Sequence, residues 1–136
     1  MSKSIPSISK FMTPSPHSIG DDQTLAKAEA MMAEHGIRHL PVLKSGKLTG
    51  IVTDRDIKFL KGFKDVQPDQ MKILEFSNPD VFTVEPHSSL DEVCDLMADK
   101  KFGCAVVMDN HKLVGIFTWI DALRAMSELL KTRLAK

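Results

Sequence analysis

Charge of one sign is in short supply: the 136 residues carry 18 Lys and Arg against 18 Asp and Glu, a formal net charge of zero. A nucleic-acid footprint needs a cationic surplus, so no dedicated DNA or RNA partner is expected. Cysteine is scarce too. Cys94 and Cys104 are too few for a disulfide framework and lack paired zinc-site spacing, so both read as buried, inert thiols. Apolar runs stop at about four to six residues, far below the roughly 20 that span a bilayer, so no membrane partner is expected. The start, Met1 to Pro6, leads into no signal-peptide core, and the expected location is cytoplasmic. No serine elbow, Lys-bearing Gly-rich phosphate loop, His-Glu-x-x-His or catalytic His/Cys pattern occurs, and no enzyme activity is expected. What the chain does have is 43% hydrophobic and 26% charged residues, the composition of a globular domain.

It also has an internal repeat. Shifting the chain by 65 positions lays Ile8–Leu60 on Ile73–Ala125 without a gap, and 13 of 53 pairs are identical, where ordinary amino-acid usage gives roughly three. Among them are Ile8/Ile73, Leu25/Leu90, Met32/Met97, Gly50/Gly115, Thr53/Thr118 and Asp56/Asp121. Each copy predicts the order β-α-β-β-α. An extended piece (Ser18–Ile19; Phe82–Val84) precedes a helix at about Thr24–His35 or Leu90–Lys100, the latter capped by Ser88 or Ser89. Strands His39–Leu43 and Leu48–Thr53 follow around Ser45-Gly46, matched by Ala105–Met108 and Leu113–Thr118 around Asp109-Asn110. A second helix starts at Asp54 or Trp119, stopping near Gly62 in the first copy and about Lys131 in the second. The expected organisation is residues 1–61 as the first repeat with an N-terminal segment, 62–71 as linker, 72–131 as the second repeat and 132–136 as tail. One unit of this size buries too little surface to be stable alone, so the two are expected to pack into one body. Helix faces left over favour a homodimer.

The recurring chemistry is Gly50-Ile51-Val52-Thr53-Asp54-Arg55-Asp56 and Gly115-Ile116-Phe117-Thr118-Trp119-Ile120-Asp121. Thr-x-x-Asp where a strand runs into a helix has the spacing of a capping box. The same spacing suits a nucleotide. The helix N-terminus and Thr hydroxyl offer donors to a phosphate, and a carboxylate one turn in can accept both cis hydroxyls of a ribose. The motif alone leaves both readings open.

The stretch Gly36-Ile37-Arg38-His39-Leu40-Pro41-Val42, a short turn, then Gly50 to Ile57, resembles a CBS domain. The tandem, over about Ile8–Ala125, is similar to a stand-alone CBS pair (a Bateman module), in particular to the CBS regions of acetoin-utilisation-type proteins and IMP dehydrogenases. The resemblance implies an α+β fold of two repeats about a pseudo-two-fold axis, with two clefts that bind AMP, ADP or ATP, or in some members S-adenosylmethionine, NAD or a cyclic dinucleotide. It also implies a homodimer and an effector protein that the sequence does not identify. No cofactor is required beyond the regulatory ligand. Carried onto this chain, Thr53 and Asp56 hold phosphate and ribose, with Ile19, Ile37, Arg38, His39 and Arg55 around them. The second site keeps Val84, Thr118 and Asp121 but has Gly103, Cys104 and Ile120 in place of Arg38, His39 and Arg55. Losing cationic donors weakens it for an anion, so the Thr53/Asp56 site is expected to fill first. The competing expectation is a dimerisation scaffold whose Thr-x-x-Asp motifs are only helix caps.

Other polar residues carry less. His35 and His39 lack zinc-helix spacing, and no metal site is expected. His17, His87 and His111 read as solvated, Trp119 as cover for a core or dimer face, and Lys131–Lys136 as a fraying helix end.

Overall fold

Leu25, Ala28 and Met32 recur at helical spacing, and in the computed structural model, which describes residues 4–134, they form the buried face of a helix. In chain order the elements are a 3-10 turn Ile8–Lys10, β1 (Thr13–Pro14), β2 (Ile19–Gly20), α1 (Leu25–His35), β3 (His39–Lys44), β4 (Lys47–Thr53) and α2 (Asp54–Lys61). A second 3-10 turn, Ile73–Glu75, leads to β5 (Thr83–Val84), α3 (Leu90–Lys100), β6 (Cys104–Asp109), β7 (Lys112–Thr118) and α4 (Trp119–Arg133). The β-α-β-β-α order therefore stands in both copies, in a mixed α and β fold.

The chain divides into two compact units. One is residues 17–81; the other joins the N-terminal residues up to Pro16 to the stretch from Phe82 onward. In the first unit β2 runs parallel to β3, and β3 pairs antiparallel with β4. The second repeats this with β5, β6 and β7, and β1 adds to the free edge of β7.

The compact units are not the same divisions of the chain as the sequence repeats. Ile8 is fully buried with Leu90, Val93 and Phe117, in the unit of the later repeat. Its match Ile73 is fully buried with Leu25, Leu40 and Val52, in the earlier one. The stretch 62–71, read as linker, makes contacts of its own in the first unit. Leu25 N–H donates to the Met71 carbonyl at 2.8 Å, Ala26 N–H to that of Pro68 at 2.9 Å, and Val66 and Met71 pack on the core. The chain here answers to backbone donors at the start of α1, which would otherwise lack partners. Helix α4 reaches Arg133, two residues past Lys131; of the expected tail, 135–136 lie outside the described residues, as do 1–3.

Two glycine positions explain their own repetition. A Cβ on Gly50 would stand 3.0 Å from the Asn78 carbonyl oxygen and 3.1 Å from Ser77 Oγ, and one on Gly115 would collide with Met12 Sδ. In each unit a leading segment crosses the strand at the glycine. The hairpin bends use paired left-handed residues, Ser45 (φ 52°) with Gly46 (φ 80°), and Asn110 (φ 51°) with His111 (φ 65°). The second bend therefore sits one residue later than Asp109-Asn110.

The copies end their first helices differently. Gly36 closes α1 at φ 63°, whereas Lys101 closes α3 at φ 60°, a left-handed geometry that costs an L-residue about 1–2 kcal/mol. Replacing Lys101 with glycine is expected to raise stability by about 0.5–1 kcal/mol, after the extra unfolded-state entropy of glycine is deducted. Urea unfolding checks this, and a lower midpoint would refute it.

Candidate functional site

Both Thr-x-x-Asp motifs close as capping boxes. Thr53 Oγ1 accepts from Asp56 N–H at 3.2 Å, and Thr53 N–H donates to Asp56 Oδ2 at 3.4 Å. Thr118 Oγ1 accepts from Asp121 N–H at 3.4 Å, and Thr118 N–H donates to Asp121 Oδ2 at 2.9 Å. The first helical N–H is also occupied: Asp54 donates to the Arg38 carbonyl at 3.0 Å, and Trp119 to that of Gly103 at 3.2 Å. Of the first-turn donors on α2, the Arg55 N–H has no acceptor among the described residues.

The boxes differ in what they leave open. Among the described residues, the Thr53 hydroxyl proton has no acceptor and Asp56 Oδ1 accepts no hydrogen bond. In the second unit the Thr118 hydroxyl donates to Asp121 Oδ2 at 3.2 Å. The Thr13 hydroxyl lies 3.2 Å from Asp121 Oδ1 and 3.4 Å from Oδ2. Thr13 carries no motif signal, and sequence reasoning missed it. Its counterpart at a shift of 65 is Asn78, whose Oδ1 accepts instead from Asp80 N–H at 2.9 Å.

The remaining predicted residues of the first unit fall around the box in distinct roles. His39 stands opposite Thr53 in the β3–β4 ladder. Arg38 and Arg55 open, with Asp54, Lys58 and Phe59, onto a groove of about 530 Å³ that Thr53 and Asp56 do not line. An adjoining groove of about 400 Å³ is lined by Ile37 and Arg38 with Met32, Gly36, Asp54 and Lys58 among others. Around the larger groove three cations stand against one carboxylate, and Lys58 Nζ lies 3.6 Å from Asp54 Oδ2. Ile19 is buried in the core and paired with Val42; Val84 is half-buried and paired with Val107.

Burial lowers the His39 pKa below its ordinary value; Asp54 and Asp56 oppose that and Arg38 adds to it. The folded pKa thus lies under the unfolded value of about 6.5. Stability is full above pH 6.5 and is lost as pH falls through the folded value, because the unfolded chain binds the proton more tightly. The urea midpoint is expected to drop between pH 7.5 and 5, and to drop less in His39→Gln. Equal drops would show that another group carries the dependence.

The free cysteines Cys94 and Cys104 have raised pKa values, Cys104 pushed up to about 12 by burial, so neither offers a thiolate at neutral pH. His35 stacks on His17 at 3.6 Å between ring centroids. Among the described residues no three His, Cys, Asp or Glu cluster as metal ligands, and no helix is long and apolar enough to cross a membrane.

A duplicated β-α-β-β-α unit, with a Thr-x-x-Asp box opening the last helix of each copy, defines a tandem-repeat module of mixed α and β structure. The chain belongs to the CBS domain family, which matches residues 8–60 and 73–128. It is 30% identical over 122 residues to the CBS domain-containing protein YhcV of Bacillus subtilis, covering 89% of this chain and 86% of that one. The crystal structure of AcuB from Vibrio cholerae superposes with a TM-score of 0.86 at 29% identity, covering 98% of both chains. CBSX2, solved in complex with AMP, shares the fold with a TM-score of 0.79 at 24% identity, over 91% of this chain and 98% of that one.

Proposed function

We propose that this chain is a non-catalytic regulatory module that binds an adenine nucleotide of AMP, ADP or ATP type at the Thr53–Asp56 box. Its ligand state is then read by a partner protein. The observation that carries the reading is the open half of that box: a hydroxyl proton and a carboxylate oxygen, both without partners among the described residues. The cis diol of a ribose supplies donors for the carboxylate, and a phosphate accepts from the hydroxyl and the Arg55 N–H. Arg38, Arg55 and Lys58 add positive charge beside it. The AMP held by CBSX2 supports an adenosine ligand for this fold. The proposal includes a cytoplasmic homodimer, supported by two free thiols and by Trp119, Leu123, Met126 and Leu130, which leave an exposed apolar stripe along α4.

The test is a thermal-shift panel of AMP, ADP, ATP, NAD, S-adenosylmethionine and cyclic dinucleotides. A ligand at a hundred times its Kd stabilises the native state by about 2.7 kcal/mol, an upward shift of several degrees. The second reading, a dimerisation scaffold, is favoured by the closure of both boxes as helix caps. It predicts no shift with any member of the panel.

A further inference from the structure

The two boxes share their Thr and Asp, but the carboxylate of the second also meets a hydroxyl from outside the motif. We infer that Thr13 is a selectivity residue that closes the second box to a ribose and so sets the module's capacity at one nucleotide per chain. The inference rests on the nucleotide reading above and names what regulates its second site.

A carboxylate grips a cis diol through both oxygens, each accepting one hydroxyl. A carboxylate offers about four acceptor positions; among the described residues one donor, the Thr53 N–H, uses Asp56, whereas three donors use Asp121. The backbone N–H and hydroxyl of Thr118 are on Oδ2, and the hydroxyl of Thr13 lies between Oδ1 and Oδ2. Thr13 is held there by the fold. Its strand β1 pairs Thr13 with Ile116 and Pro14 with Gly115, and Ser15 N–H donates to the Val114 carbonyl at 3.1 Å. Met12, the residue before, packs against Gly115, where no Cβ stands in its way.

The first unit shows the same backbone arrangement without the plug. Asn78 bridges to Ile51 through both its N–H and its carbonyl, at 3.0 and 2.9 Å. Its side chain, however, turns into its own loop to accept from Asp80 N–H. Asp56 is left with Oδ1 free. A ribose entering the second box must displace the Thr13 hydroxyl from a charged partner, which weakens binding there by at least about tenfold.

The experiment counts AMP bound per chain by equilibrium dialysis, for wild type, Thr13→Val, Thr13→Ser, Asp56→Ala and the Thr13→Val/Asp56→Ala pair. Valine keeps the β-branched shape and removes the hydroxyl, whereas serine retains it. The expected result is one AMP for wild type and Thr13→Ser, two for Thr13→Val, none for Asp56→Ala and one for the double variant. Wild type at one and Thr13→Val still at one overturns this inference and leaves the first-site reading intact. Wild type at none with Thr13→Val at one supports Thr13 as the gate while removing the Thr53–Asp56 assignment. No AMP bound by any variant rejects both.

Discussion

Replacing Asp56 with alanine is expected to weaken AMP binding by about ten- to a hundredfold, the loss of hydrogen bonds to a charged carboxylate. The thermal shift produced by AMP in the wild type should vanish at matched ligand concentration. Asp56 also closes the cap of α2, so the unliganded variant should lose about 0.5–1 kcal/mol of stability. Asp121→Ala separates the two effects. That carboxylate caps α4 and takes the Thr13 hydroxyl besides, so its removal should cost at least as much stability while leaving the AMP shift in place. Should both variants lose stability and neither alter an AMP shift, Asp56 is a cap and the ligand sits elsewhere. Isothermal titration alongside urea unfolding reads both quantities on the same samples.

Phe117→Ala is expected to be the most destabilising single truncation. Phe117 is the largest fully buried side chain, packed in one core with Ile8, Val93 and Val107. Removing a buried phenylalanine costs about 3–5 kcal/mol, transfer and cavity together. For a chain of this size that is a fall in Tm of about 10 °C or more, and a large part of a typical domain's total stability. The repeat supplies its own comparison, since Val52 holds the matching position and is equally buried with fewer carbons. Val52→Ala should cost about half as much. A fall below 1 kcal/mol for Phe117→Ala would mean that the surrounding side chains close the cavity.

Much of this architecture was legible in advance because repetition and periodicity are properties of sequence. The helical stripe of Leu25, Ala28 and Met32, the matched stripe of Leu90, Val93 and Met97, and strands broken at short polar bends follow from which faces must be buried. Helix α3 runs over the expected Leu90–Lys100, and Thr24 caps α1 by accepting from Lys27 N–H. The Thr-x-x-Asp spacing read correctly as a geometry able to cap a helix. Of the short pieces, the extended segments before the first helices were legible at Ser18–Ile19 and Phe82–Val84, whereas β1 and the 3-10 turns were not, having no period of their own. Cys104, Gly103 and Ile120 showed that the second site lacks cationic donors, yet nothing local showed a hydroxyl arriving from 108 residues away.

The sequence by itself determined that the chain is two copies of one β-α-β-β-α unit, because Ile8 and Ile73, Gly50 and Gly115, Asp56 and Asp121 hold equivalent environments and equal environments select equal residues. The tertiary structure alone decided which copy each leading segment completes. Ile8 and Thr13 serve the later strands, while Ile73 and Asn78 serve the earlier ones. The match between the copies reads the same whether a segment packs on its own repeat or on the other. Only the free edges of β4 and β7, with a glycine at each to admit the crossing chain, separate the two arrangements, and with them the open carboxylate of Asp56 from the occupied one of Asp121.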